Sequence, residues 1–460
     1  MRLLKFALGV VVGVLAMLAA AIWLLPERVT VVNERVKFEN RIAIPPLLLP
    51  RDVNGEKVFD LSVQQGETEI LRGRQTKTLG FSGTYLGPTL RARKGDKVRF
   101  NVSNSLDEPT TTHWHGMHLP AVMDGGPHQV IAPKETWQAH WTVTNDAATL
   151  WYHPHMMGAT ARQVYRGLAG LFVIDDDATD KLGLPAEYGL DDVPLIVQDR
   201  KFDDRAQFVY EEPSKDPPGW LDNPVGMLGD TILVNGTRAP FLEVPARLVR
   251  LRILNGSNAR RFNFGFADNR PFHQIATDGG LLEHPVGRTR LLLAPGERAE
   301  ILLDLSQVNE RLTLMSYAVR DDVDRTTNFL QRVLASRSDE NEEFRILEIR
   351  PRRMNGKSGV MPDRLATMPA LDGSAAVTTR RVMLPTPVDE TATVSDIERW
   401  EIVNASIAYH PFHIHGLQFR VLDRNGKPAP SYEQGWKDTL LVGPSETVRL
   451  IVAPTRPGGR

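Results

Sequence analysis

The sequence predicts an all-β protein: three consecutive copies of one β-sandwich domain, the third incomplete, behind an N-terminal apolar segment. Three observations predict it. Beyond Pro50 the chain runs in short alternating apolar stretches broken by Gly, Pro, Asn and Asp, the pattern of strands and turns. One strand-like stretch recurs, as "VRFNVSNS" from Val98, "VRLRILNGS" from Val249 and "ERWEIVNAS" from Glu398, about 150 residues apart each time. A turn marker recurs in the same order, as "PKET" at Pro133, "PGER" at Pro295 and "PSET" at Pro444. That period is the size of a domain, not of a solenoid repeat.

Residues 1–29 form the first element. Arg2 and Lys5 precede an apolar run over residues 6–25, long enough to cross a bilayer as a helix. The basic residues favour an inside N-terminus. The segment therefore reads as a membrane anchor or a signal peptide. The body reads as exported to the periplasm, anchored to the inner membrane or released by cleavage. Residues 50–180, 190–350 and 365–460 carry the three domains. A hydrophobic content of 42% and a charged content of 24% are those of a globular protein with ample core. The net charge of −1 offers nothing to a nucleic acid. The absence of cysteine excludes disulfides, thiolate zinc sites and cysteine nucleophiles built from these residues.

The chemistry lies in the histidines. There are 12, and six of them form HxH pairs: His113 and His115 in "THWHG", His153 and His155 in "WYHPHM", His413 and His415 in "HPFHIHG", which His410 opens. Random placement gives roughly 0.3 such pairs, so chance does not explain three. On a strand, residues i and i+2 share a face, so each pair aims two imidazoles at one place. Neutral imidazole suits zinc, copper, iron and nickel. The repeats align the pairs: His113 and His413 each stand nine residues after the asparagine of their repeat, Asn104 or Asn404. After Asn255 the matching positions are Phe264 and Phe266. The outer domains are thus expected to share a metal site at their interface, with the middle domain separating them and binding no metal. His118, His128 and His140 fall outside the pattern and read as polar surface. Met117, Met123, Met156 and Met157 read as core filler. Asp124, in "VMDGGPH", suits a turn ahead of Gly125 and Gly126.

These motifs resemble three of the four copper-binding motifs of the multicopper oxidases, the family of laccases and bacterial cuprous oxidases. The stretches "YLGPTLRARKGDKV" and "APGERAEILLDL" are similar to that family too, and the likeness runs from about residue 50 to the C-terminus. The resemblance implies cupredoxin-like Greek-key domains and a copper-dependent, laccase-like oxidoreductase. Such an enzyme couples one-electron oxidation of a small reducing substrate (a phenol, an amine or a metal ion) to four-electron reduction of dioxygen to water. It implies that His113 and His413 hold the type 2 copper, and that His115, His153, His155 and His415 belong to the type 3 pair. It implies that His410 is a ligand of the type 1 copper; five residues before His415, it faces the other side of a strand, as a ligand to a separate ion requires. Asp124 matches the acid that relays protons near the cluster.

The sequence departs from the family at its fourth motif, which carries the type 1 cysteine thiolate. The spacing from "PKET" to the second HxH pair places that motif about four residues past Arg460. The sequence is therefore expected to end before the last strand of its third domain, with an incomplete type 1 site, an open sheet edge and impaired activity. Two other readings stay open: a non-catalytic exported scaffold on the same fold, and a zinc hydrolase built on the HxH pairs.

Overall fold

The computed structural model describes residues 29–211, 226–319, 342–369, 376, 378–385, 397–406 and 408–453. The expected N-terminal anchor over residues 6–25 lies outside them. Among the described residues no helix is long and apolar enough to cross a membrane, and strands dominate.

The recurring asparagine explains why the repeat recurs. Asn104 accepts the backbone N–H of Leu106 at 2.9 Å and donates to the carbonyls of Glu108 and Ile131, both at 2.9 Å. Asn255 accepts from Ser257 at 3.0 Å and donates to Arg260 and Leu293 at 2.8 and 2.9 Å. Asn404 accepts from Ser406 at 2.9 Å and donates to Ala408 and Gly443 at 2.7 and 2.8 Å. All three side chains are buried. Each one satisfies backbone groups that a loop inside the protein would leave unpaired. The turn marker recurs for a conformational reason as well. Its second residue has positive φ in every copy: Lys134 at 68°, Gly296 at 82° and Ser445 at 54°.

In the first repeat two five-stranded sheets face each other. One runs in the order Thr136–Thr142, Lys97–Asn104, Glu56–Leu71, Arg51–Val53, with Arg74–Phe81 also on Glu56–Leu71. The other runs Leu47–Leu48, Thr89–Arg93, Gly170–Asp175, Ala148–His153, His113–His115. Phe59, Phe100, Trp114 and Phe172 fill the space between them. Trp114 alternates with the histidines on either side of it. It points into this core, its ring 4.2 Å from that of Phe100, so His113 and His115 point the other way.

The middle repeat has its own core, in which Phe262, Phe264 and Phe266 pack with Leu291, Leu314 and Phe344. The two phenylalanines at the histidine positions are fully buried. Their strand, Phe262–Phe266, pairs with Leu291–Leu293 on one side and Leu312–Tyr317 on the other. The third repeat packs Trp400, Phe412, Phe419 and Leu440. Its histidine strand, His410–His413, pairs with Thr439–Val442, the only partner strand it has among the described residues.

Residues 30–49 belong to none of the domains expected from the sequence, yet they are built into the molecule. Thr30–Val31 runs parallel to Glu342–Glu343, and Asn40–Arg41 runs parallel to Pro240–Phe241. Residues 30–41 thus strap the edge of the middle repeat, while Leu47–Leu48 joins a sheet of the first. These strands are only two residues long, too short for sequence periodicity to reveal.

Candidate metal centre

Strand pairing brings the first two HxH motifs together. Ala148–His153 runs antiparallel to His113–His115, with His153 opposite His113 and Trp151 opposite His115. The third motif arrives from the far repeat. The ring of His413 stacks on His115 with centroids 3.7 Å apart, and that of His415 stacks on His113 at 4.0 Å. His155 closes the group, 4.8 Å from His415 between ring centroids. Six of the seven predicted histidine ligands therefore converge. His410 stands apart, its Nε2 at 2.8 Å from Ser406 Oγ.

Five of the six rings are held by a hydrogen bond at one nitrogen. His113 Nδ1 donates to the Asp124 carbonyl at 3.0 Å, and His413 Nδ1 donates to the Asp438 carbonyl at 2.8 Å. Both Nε2 atoms are buried with no hydrogen-bond partner. His153 Nδ1 donates to the Pro154 carbonyl at 2.8 Å, which leaves its Nε2 as a bare acceptor. That atom faces His115 Nδ1 at 3.2 Å, while His115 Nε2 lies 3.0 Å from Asp438 Oδ1. His415 Nδ1 donates to Asp124 Oδ2 at 2.7 Å. Buried lone pairs aimed at one another are costly unless a cation lies between them. Carbonyl and carboxylate acceptors behind each ring are the usual way to orient metal-binding histidines. Ligand atoms of His113, His115 and His153, and of His113, His413 and His415, lie within 4.8 Å of one another. These residues fit a cluster of copper ions.

The electrostatics agree. Burial pushes His413 down to about 3, with Asp438 opposing it. Burial, then His113, pushes His155 down to about 4. Burial also holds His115 and His153 well below the ordinary imidazole range. Neutral imidazoles are the ligand form. Burial works to raise the Asp124 carboxyl, but His113 and His415 together hold it below the ordinary carboxylate range. Asp124 follows a short 3-10 turn, Ala121–Met123. Gly125, at φ 73°, lies so close to Thr112 and His113 that no side chain fits there. The Asp-Gly-Gly run is thus a turn that also presses a carboxylate against two of the histidines.

Comparison with known proteins is decisive. Models of the multicopper oxidase family match residues 62–179 and residues 350–459. A multicopper oxidase of Staphylococcus aureus is 37% identical over 421 residues, which cover 90% of this chain and 86% of that protein. The chain belongs to the multicopper oxidase family. Other relatives carry another name: cell division protein FtsP of Dickeya dadantii is 37% identical over 429 residues, covering 90% of this chain and 86% of that protein. Among solved structures, the laccase-like multi-copper oxidase CueO of Ochrobactrum sp. superposes with a TM-score of 0.77 at 35% identity, covering 90% of this chain and 93% of that one. That protein is described as having oxidase activity towards lignin model compounds and lignosulfonate.

This multicopper oxidase has a site residue that sequence reasoning missed. Asp438, in "GWKDTL", is fully buried and lies against His115 and His413. Both its oxygens accept from Arg298, at 2.7 and 2.6 Å, which places it behind the ligands, and its carboxylate also lies within 4.8 Å of ring nitrogens of His115 and His413. Nothing local marks it, because Lys-Asp-Thr reads as an ordinary turn. Of the other histidines, His128 and His140 are exposed and His118 is half-buried. Met117 is core, as expected, but Met157 is 73% exposed and fills nothing.

Proposed function

We propose that this multicopper oxidase couples one-electron oxidation of a small donor to four-electron reduction of dioxygen to water. In this reading His113 and His413 hold the type 2 copper, and His115, His153, His155 and His415 hold the type 3 pair. The observation that carries the assignment is the pair of buried, partnerless Nε2 atoms on His113 and His413, one from each outer repeat. Copper bound here supplies the electron transfer to dioxygen. The chain's own groups supply the rest. Asp124 holds His415 through Oδ2, while its Oδ1 is buried without a partner and is the atom placed to take up and pass on protons. Trp151, stacked on His153 at 4.0 Å, shields that ring from solvent. The activity described for the Ochrobactrum relative, towards lignin model compounds and lignosulfonate, supports an organic donor; we take a phenol, an amine or a metal ion as the candidate classes.

His410 is the one mononuclear-site ligand we assign. These 460 residues hold no cysteine, so they do not provide the thiolate of a blue copper site. On its own the chain is expected to be colourless with little oxidase turnover. The relatives named for cell division give weight to a second reading as a non-catalytic exported scaffold. We place the body outside the cytoplasm, held at the inner membrane by residues 1–29 or released, because Arg2 and Lys5 precede the apolar run.

Metal analysis and electron paramagnetic resonance of the copper-loaded full chain separate the readings. A type 2 signal that disappears in His113→Gln and in His413→Gln supports the oxidase cluster. Stoichiometric zinc in place of copper, or no bound metal, would falsify it.

A further inference from the structure

The middle repeat contributes no histidine to the cluster, yet one of its side chains reaches the floor of the site. Arg298 is fully buried, and all five of its N–H donors are used. Nε donates to the Thr149 carbonyl of the first repeat at 3.0 Å. Nη1 donates to the Gly296 carbonyl at 3.1 Å and to Asp438 Oδ1 at 2.7 Å. Nη2 donates to the Asp278 carbonyl at 3.0 Å and to Asp438 Oδ2 at 2.6 Å. One guanidinium therefore touches all three repeats and grips Asp438 with two parallel bonds, the geometry that arginine alone provides.

What the grip fixes is the far side of the carboxylate. Asp438 Oδ1 also accepts from Thr439 Oγ1 at 2.8 Å and lies 3.0 Å from His115 Nε2. A carboxylate only accepts, and Thr439 Oγ1, 3.0 Å from the same Nε2, gives its one proton to Asp438 Oδ1, so His115 carries its proton on Nε2 and presents Nδ1 as a lone pair towards His153. Two further observations show that the surroundings are shaped to this pair. Gly116, which ends "HWHG", has φ 87°, and a Cβ there would lie 2.4 Å from Asp438 Oδ2 and 2.8 Å from Arg298 Nη2. Arg298 also fills the last position of the turn marker, where the outer repeats have Thr136 and Thr447. The middle repeat thus has phenylalanines where the outer repeats have the histidine pair, and an arginine where they have threonine.

We propose that Arg298 is a positioning residue for the metal cluster: by holding Asp438 in a fixed orientation it locks His115 in the tautomer whose Nδ1 faces the site. This rests on the reading of His115 as a metal ligand, but the lock itself exists without metal. The middle repeat is then a working part of the centre and not only a spacer.

The test uses the full chain, metal-free and labelled with nitrogen-15 in histidine. The ring tautomer of His115 is read from two-bond proton–nitrogen correlations and assigned with His115→Gln. The unmodified chain should show His115 protonated on Nε2 alone. Arg298→Lys keeps the charge but loses the fork. It should give a mixture of tautomers and weaken Cu(II) binding about tenfold to a hundredfold, the usual effect of losing support behind a ligand. In case that variant does not fold, Asp438→Asn gives a second reading. The guanidinium should draw the amide oxygen to itself and turn the NH2 towards His115, moving the ring proton to Nδ1. If His115 stays protonated on Nε2 alone in both variants, or if folded Arg298→Lys binds Cu(II) as the unmodified chain does, the proposal is overturned. An unmodified chain that shows the Nε2 tautomer yet binds no copper supports the lock and defeats only the copper reading.

Discussion

Asp124 Oδ2 accepts the Nδ1 proton of His415 at 2.7 Å, although the two residues are 291 positions apart in the chain. The same aspartate offers its carbonyl to His113 Nδ1 at 3.0 Å. One residue of the first repeat thus orients a histidine of its own repeat through its backbone and one of the third repeat through its side chain. Oδ2 also lies 3.2 Å from His113 Nδ1, but the carbonyl contact does not depend on the carboxylate, so the two roles are separable. Asp124→Asn should preserve the His113 contact and weaken the His415 contact. Copper bound by His113 and His413 should remain, with overall affinity reduced about tenfold. Competitive copper titration with metal analysis reads both, and loss of all copper from a folded variant would contradict the separation.

Acid should destabilise the metal-free protein by a defined route. His413 is pushed down to about 3 and His155 to about 4 in the folded chain, against about 6.5 when unfolded. Between these values the unfolded chain binds protons that the folded chain refuses, so stability rises with pH. The contribution is complete above about pH 6.5 and is lost as pH falls towards 4 and then 3. Each such site adds a slope of about 1.4 kcal/mol per pH unit within its window. Urea unfolding at pH 7 and pH 5 checks this. Saturating copper should stabilise the protein far more at the higher pH, since the metal competes with protons for the same nitrogens.

Phe264 occupies the histidine position of the middle repeat and is 1% exposed. Phe264→Ser should cost about 3–5 kcal/mol, the range for truncating a core aromatic. Copper stoichiometry in the folded fraction should not change. Chemical denaturation alongside metal analysis reads the two effects separately.

Lys437 is buried against Asp278 at 2.8 Å and Glu297 at 3.0 Å, both on the middle repeat. Lys437→Met should cost about 3–5 kcal/mol, because it strands the buried Glu297 carboxylate and leaves Asp278 only the more distant Arg298, at 3.6 Å. The triple variant Lys437→Met, Asp278→Asn, Glu297→Gln should recover much of that loss. If the single variant unfolds at the same urea concentration as the unmodified chain, the pairing contributes nothing net.

Much of this molecule was legible in its sequence because the informative signals are local or periodic. An HxH pair needs only the two-residue period of a strand to become a shared face, and Asn104, Asn255 and Asn404 marked the repeat because each must satisfy the same buried backbone. His410 could be set apart from His415 by parity alone. Other features were hidden because they exist only after folding. Neither Asp438 nor Arg298 shows its burial or its partner until chain from three repeats is brought together. The marker "PGER" was visible, but the reason for its arginine was not. The strap near Thr30–Val31 and Asn40–Arg41 was missed because two-residue strands carry no pattern.

The ties between repeats also constrain how such a protein can be varied by recombination. Arg298 and Asp438 are separated by 140 positions, and Arg252 reaches back over 103 positions to Thr149. A chimera whose crossover falls between these partners inherits one half of a buried pair from each parent. Exchange between diverged parents should therefore succeed when the partners travel together or are identical in both, and fail when a crossover mismatches them, even if every histidine is retained.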